Sequence, residues 1–371
     1  MTLACIPMAS AAEVTLLNGD VLADVTIRFD SSALTIADRE TPIPWSEVDS
    51  LSFPDSEKPI QMQTLNTVVL LKDGSIVPTS LISSLENGIM VLSPLGPLSL
   101  PLGVAVAWGP QDWIEAKRDE KTDLVLLDGS EISGAVQGIK DGQLFLLSDL
   151  SPEPIPLALT DILGVHLALS VDRPRGIHFS TQSDPNYPPL LLVPTAEGLV
   201  LQAQPKQVIP MELIHHFTVH GGRRVFLADL EPASVNEEGA FGVVWKYAIN
   251  RNIDGSPLIL GGKRYQSGLV LHSKSTLEWD LNGAYSVLRS QVGIVDLMGN
   301  EGDCAVRIIG DGNVLWENKQ IRGGEDPLSL EIPLTTIKKL SIEVDYGERY
   351  DIGDHLALAG AWLLKNPETL P

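Results

Sequence analysis

The stretch Tyr350-Asp351-Ile352-Gly353-Asp354-His355 holds the densest group of polar side chains in the carboxyl-terminal part of the chain. Two carboxylates and an imidazole within five residues can accept and donate hydrogen bonds to the hydroxyls of a polar ligand. Carboxylate oxygens at Asp351 and Asp354 could also hold a hard cation such as calcium. A solvated acidic turn would read the same way. Other residues of this kind are Asn250-Arg251-Asn252, with amide and guanidinium groups, and His272, which follows the apolar run Gly268-Leu269-Val270-Leu271. The alternatives are a solvated loop for the first and a buried imidazole tying a strand to a loop for the second.

Recognition of a pyranose needs an aromatic face against its C–H surface and a few directional polar groups for its hydroxyls. Trp245, Tyr265, Trp279, Trp316 and Trp362 are the aromatic candidates. Trp279 alternates with Leu277 and Leu281, and Trp362 precedes Leu363-Leu364, a pattern of core positions. Trp245 and Tyr265 lack such a pattern and fit either role.

The elements that must position these residues are strands. From residue 225 onward, runs such as SGLVLHS, STLEWDL, YSVLRSQVGIV, CAVRIIGDG, LSLEIPL and KKLSIEVDY are separated by Gly and Asp turns. Leu277, Trp279 and Leu281 alternate with polar neighbours, as do Leu340, Ile342 and Val344, which suits sheets with one wet face. Eight or so strands at this spacing predict a two-sheet sandwich or jelly roll over 225–371.

Upstream the chain repeats itself. Leu17-Asn18-Gly19-Asp20, Lys72-Asp73-Gly74-Ser75 and Leu127-Asp128-Gly129-Ser130 each follow an apolar run, and their glycines lie 55 residues apart both times. Asn-Gly and Asp-Gly between apolar runs are strong hairpin signals, because the tight turn needs positive φ. A second element, Ile43-Pro44, Leu100-Pro101, Ile155-Pro156 and Ile209-Pro210, recurs at intervals of 57, 55 and 54 residues. The reading is tandem small β-barrel-like repeats across 13–222, at about 14–53, 67–108 and 123–169 with a degenerate fourth at 189–219. A 55-residue piece buries only about 60% of its unfolded surface, so the repeats are expected to share a core. Their loops are poor in His, Cys and paired carboxylates, as befits a scaffold.

The residues from Tyr265 to Ser275 fit the pattern Y-x-x-G-[LI]-x-x-H-[SA]-x-S, and Leu281 to Leu288 fits L-x-G-x-Y-x-x-[LF]. With DGNVLWENKQIRGGEDPLSLEIPL and the closing GDHLALAGAWLL, the region 225–365 resembles the NPCBM family, which is related to carbohydrate-binding module family 51. The resemblance implies a jelly-roll β-sandwich, often appended to glycoside hydrolases, that binds galactose-containing glycans, with calcium in some members. The residues assigned to a carbohydrate site are Trp245, Asn250, Tyr265, His272, Asp354 and His355, with Asp351 and Asp354 for a metal. The chain departs from the family after Asp354-His355: Leu358 and Gly360 stand where an aromatic and a second acid are expected, which weakens inheritance of that corner.

Composition narrows the partners. The 371 residues carry a net charge of −22, and the surplus is spread along the chain. Residues 1–226 have 27 acidic against 13 basic side chains and residues 227–371 have 21 against 13. Nucleic-acid affinity comes largely from Lys and Arg displacing counterions, so such a chain is not expected to bind nucleic acid. Cys5 and Cys304 are too few for a disulfide framework or thiolate metal site. After residue 14 no apolar run approaches the roughly 18 residues of a membrane helix. The opening MTLACIPMASAAEV ends its apolar run in Ala9-Ser10-Ala11, so residues 1–12 are read as a signal-peptide remnant and the protein as extracytoplasmic. It has no basic segment; a first strand, or acylation at Cys5, are the other readings.

The reading is a non-catalytic carbohydrate-binding protein; the alternatives are a structural cell-envelope protein without a ligand, and a glycoside hydrolase. Hydrolysis would need two carboxylates about 5 to 9.5 Å apart. Glu237, Glu238, Asp351 and Asp354 are candidates, but repeats and sandwich leave no segment for a catalytic barrel, and no nucleophile elbow, P-loop or His-Glu-x-x-His string is present.

Overall fold

The computed structural model describes residues 8–53, 67–117, 121–172, 176–181, 190–195, 198–209, 216–240 and 242–366. It divides into one unit ending at Gly221 and a second that begins at Gly222. Both are built almost wholly of strands, as the periodicity predicts. Residues 1–7, most of the signal-peptide expectation, lie outside the described residues; Met8 already belongs to a strand, Met8–Leu16. Among the described residues no helix is long and apolar enough to cross a membrane.

In the first unit the first, third and fourth repeats have five strands in the spatial order 5-1-2-3-4, and in the second repeat the second strand is broken in two. The first repeat consists of Met8–Leu16, Val21–Phe29, Ala33–Ile36, Ile43–Pro44 and Val48–Ser52. Its Asn-Gly turn places Gly19 at φ +94°, and Gly74 and Gly129 take +89° and +75° in the next two copies. A side chain with a Cβ adopts that region reluctantly, which is why glycine recurs there. The closing Ile-Pro element is the fourth strand. A short helical turn at Trp45–Glu47 then swings the chain back, so that the fifth strand pairs with the first, Val14 opposite Leu51.

The fourth repeat, legible in sequence by its closing half alone, also has five strands: His178–Thr181, Leu191–Thr195, Gly198–Leu201, Gln204–Val208 and His216–His220. Its first hairpin connection contains no Asn-Gly or Asp-Gly pair, which is why the periodic signal fades there.

Repeats join through their fifth strands. Phe217 lies opposite Leu51, fusing the first and fourth copies into a ten-stranded sheet, and Trp108 lies opposite Val165, fusing the second and third into an eight-stranded one. In the second copy the chain leaves the second strand after Pro78, and Leu81–Leu85, Gly88–Ser93 and Gly96–Pro101 make a separate three-stranded sheet. One apolar core runs through all four copies. Its aromatic centre is Trp45, 5.5 Å from Phe29 and 4.8 Å from Phe179 between ring centroids. No 55-residue copy could bury these rings alone.

The second unit is a sandwich. One sheet has the order Ala248–Ile249, Gly268–Leu271, Leu356–Lys365, Tyr285–Ile294 and Leu328–Pro333, with Arg224–Phe226 also on Leu356–Lys365. The other has Ser234–Glu237, Ser275–Asp280, Lys339–Tyr346, Asp303–Gly310 and Asn313–Arg322. Leu277, Trp279 and Leu281 meet Leu340, Ile342 and Val344 inside the core between them.

Candidate functional site

At one rim of the sandwich three aromatic side chains converge. The ring centroids of Trp245 and His272 are 5.8 Å apart, those of Trp245 and His355 6.4 Å, and those of the two imidazoles 5.5 Å, edge to face. Each comes from a different segment. His272 follows the strand Gly268–Leu271, His355 precedes Leu356–Lys365, which pairs with that strand, and Trp245 sits in the loop leading to Ala248–Ile249. Pairing of Leu271 with Leu356 thus brings the two histidines together, although 83 positions separate them in sequence.

Both imidazoles are buried while Trp245 is 46% exposed, so the floor is polar and fixed and the indole faces solvent. Asn252 fixes His355. The Asn252 amide oxygen accepts the Ile253 N–H at 2.8 Å, which orients the amide, and the same oxygen lies 3.0 Å from His355 Nδ1. That nitrogen must therefore carry the proton, leaving Nε2 as acceptor. His272 Nδ1 donates to the Ser273 carbonyl at 2.8 Å, with the same consequence. Burial, and then the neighbouring His272, push His355 down to about 4. Burial also lowers His272, opposed by its bond to Ser273 and by the Asp351 charge. At neutral pH the rim offers two uncharged rings, each with one acceptor nitrogen.

Asp354 is a strut behind the histidines. Fully buried, it accepts the Asp303 N–H at 2.8 Å and the Ser273 hydroxyl, clamping the strand end beside His272 to the loop that carries His355. Burial raises its carboxyl to about 6, against the lowering effect of those two donors. Asp351 accepts the Ala240 N–H at 3.0 Å and so holds the Trp245 loop against the 350–355 loop. Tyr350, Ile352, Val243 and Val244 are exposed on these same two loops.

Asp351 and Asp354, the residues named for calcium, are tied into the protein's own hydrogen bonds. Asp354 has donors on both oxygens and Asp351 is engaged with backbone, while Asp303 leaves one buried oxygen, Oδ1, without a donor. Among the described residues no group of three or more His, Cys, Asp or Glu is arranged to hold a metal ion.

Of the six residues named from sequence, Trp245, His272, Asp354 and His355 come together. Asn250 is spent on structure: with φ +61°, its side chain accepts the Gly268 N–H at 3.1 Å. Tyr265 lies on a separate small core with Leu258, Leu260 and Val270, its ring over Gly360 and under the Lys263 ammonium. Glycine at 360 suits its φ of +59°, a region that a residue with a Cβ adopts reluctantly, while a Cβ there would only touch the Tyr265 ring. Trp279 is core, its indole N–H on the Leu230 carbonyl, and the Trp362 ring packs against the guanidinium groups of Arg224 and Arg289. Sequence reading passed over Ser273 and the orienting part of Asn252, because neither residue type signals such a bond before the loops are placed.

The model of the NPCBM/NEW2 domain matches residues 223–364. Over 91 residues the chain is 31% identical to a Renibacterium salmoninarum protein carrying the provisional name endo-alpha-N-acetylgalactosaminidase, covering 24% of this chain and 6% of that one. The chain therefore spans a small fraction of that relative's length. A solved CBM51 module from Clostridium perfringens GH95, in complex with methyl-galactose, is 19% identical and covers 38% of this chain and 99% of its own, with a TM-score of 0.34. The tandem CBM51 modules of Sp3GH98, a family 98 glycoside hydrolase of Streptococcus pneumoniae, are 13% identical over 95% of this chain and 88% of theirs, with a TM-score of 0.35.

Proposed function

Residues 223–364 are an NPCBM/NEW2 domain, of a family of carbohydrate-binding modules, and on that premise we propose that the chain binds glycans without cleaving them, at the rim formed by Trp245, His272 and His355. The observation that carries this reading is an exposed indole held within 5.8 and 6.4 Å of two buried, neutral imidazoles. The indole supplies a face for the C–H surface of a sugar ring, and the two Nε2 atoms accept from its hydroxyls. Galactose-containing glycans are the ligands that the family resemblance implies. Asp354 is fully buried and cannot reach a glycosidic oxygen, which favours binding over hydrolysis. The scaffold role falls to the repeats, and an extracytoplasmic location goes with a glycan ligand.

One stacking contact and two or three hydrogen bonds of about 0.5 to 1.5 kcal/mol each leave little after the cost of association. The expected Kd is on the order of millimolar to tens of micromolar, and display of the ligand on a polymer raises the working affinity. The test is a glycan array probed with the full chain and with Trp245→Ala. Retention of galactose-terminated glycans by the parent and loss by the variant are expected. No glycan retained by folded protein, or retention indifferent to Trp245, would leave a structural envelope protein as the better account.

A further inference from the structure

The floor of the rim is fixed as a hydrogen-bond acceptor. His272 Nδ1 and His355 Nδ1 give their protons to the Ser273 carbonyl and the Asn252 amide oxygen, so the free lone pair of each ring sits on Nε2. Neither Nε2 has a partner among the described residues, and neither is sealed from solvent. At His355 this order is imposed from behind. Asn252 is 1% exposed, its main-chain N–H is bound to the Ser256 carbonyl at 2.8 Å, and its Oδ1 is held in place by the Ile253 N–H. A flipped amide would set its own NH₂ against that N–H, so the ring has no acceptable partner for the opposite tautomer.

Charge works in the same direction. Apart from the rings' effect on each other, the charges that bear on them are Asp351 at His272 and Asp254 at His355, both carboxylates. Asp303 and Asp354 lie buried behind. No cation among the described residues bears on either ring. A ligand group at the two Nε2 atoms must therefore bring protons of its own. A hydroxyl or an amide N–H does so, whereas an anionic group meets two lone pairs and a negative field, and finds no donor there to replace the water it gave up.

On the premise that the rim is a glycan site, we infer that it selects uncharged glycans against sialylated, uronic and sulfated ones, and that Asn252 is the positioning residue that sets this choice by holding His355 Nε2 as an acceptor. The selection is by protons and charge rather than by shape.

The test is an array that carries each glycan as its neutral form, as its sialic, uronic or sulfated counterpart, and as the methyl ester of each carboxylic acid, probed with the full chain and with Trp245→Ala. Neutral glycans and esters are expected to be retained through Trp245, and the acids to bind roughly tenfold more weakly or less. The ester keeps the bulk of the acid and removes its charge, which separates charge from fit. Asn252→Asp tests the positioning residue. A carboxylate on Nδ1 favours the imidazolium, whose Nε2 is a donor, so affinity for the best neutral glycan should fall about tenfold and the gap between acid and ester should narrow. Imidazole nitrogen NMR shifts report the cause, with His355 Nε2 bare in the parent at neutral pH and protonated in the variant. The parent's acid and ester decide the matter should the variant fail to fold. Retention of an acid through Trp245 as strong as that of its ester, a protonated His355 Nε2 in the parent, or a variant that carries that proton and binds as the parent does would overturn the inference and leave the glycan site standing. No glycan retained at all removes the site itself, and the inference with it.

Discussion

In the repeat unit, the loop Asp73 to Ser75, whose side chains hydrogen-bond to the fourth copy, is packed away, with Ser75 wholly buried against that copy. In the sandwich, the loops bearing Trp245 and Tyr350 are tied down from beneath by Asp351 and Asp354, and their aromatic tips stay exposed. The same materials, tight Gly and Asp turns between apolar strands, are used for cohesion in one unit and for presentation in the other. A 55-residue copy is too small to stand by itself and uses its loops to recruit neighbours, whereas a sandwich of about 140 residues closes its own core and leaves its loops free.

The largest expected effect tests cohesion. Trp45→Ala removes the indole at the centre of the shared core and should cost roughly 3 to 5 kcal/mol, measured by chemical denaturation; a cost near that of a surface change would show that the copies do not depend on a common core. Next is a pH effect in the sandwich, where two buried groups oppose each other. His355, held at about 4 in the folded chain, stabilises fully above its ordinary value of 6.5 and loses that contribution as pH falls. Asp354, raised to about 6, stabilises fully below 3.8 and loses its contribution as pH rises through 6. The two slopes nearly cancel between these limits. Asp354→Asn should uncover the histidine slope, a loss of up to about 3 kcal/mol on acidification from pH 6.5 to 4, seen as a falling melting temperature that the parent lacks.

A smaller contrast lies within the repeats. Asp73→Ala strands the N–H groups of Ser75 and Ala203 and should cost about 1 to 3 kcal/mol. Asn18→Ala, at the matching exposed position, should stay within about 0.5 kcal/mol. Equal costs would mean that the contact with the fourth copy contributes nothing. Smallest in stability is Trp245→Ala, expected within about 0.5 kcal/mol while glycan affinity drops about tenfold, or 1.4 kcal/mol. A large loss of stability there would make Trp245 a packing residue and remove the distinction between the two units.

Much of the fold was legible because strands declare themselves locally. The 55-residue spacing of Gly19, Gly74 and Gly129 reports a turn that needs positive φ, and the alternation of Leu277, Trp279 and Leu281 reports one wet face. Those are properties of a few adjacent residues, and the all-β architecture follows from them. The fourth copy was harder to see because its first connection lacks the Asp-Gly pair.

What the sequence by itself determined was the set of strands and the repeat, and it pointed to four residues that the structure brings together, three at the rim and Asp354 buried behind them. Only the tertiary structure decided that the first copy pairs with the fourth and the second with the third, that Asn252 rather than Asn250 orients His355, and that Asp354 is a buried strut. The physical reason is range. Turn and strand preferences act over a few residues, whereas strand partners and hydrogen bonds between loops join positions as distant as Ser273 and Asp354, whose meeting depends on how every strand between them is laid in the sheets.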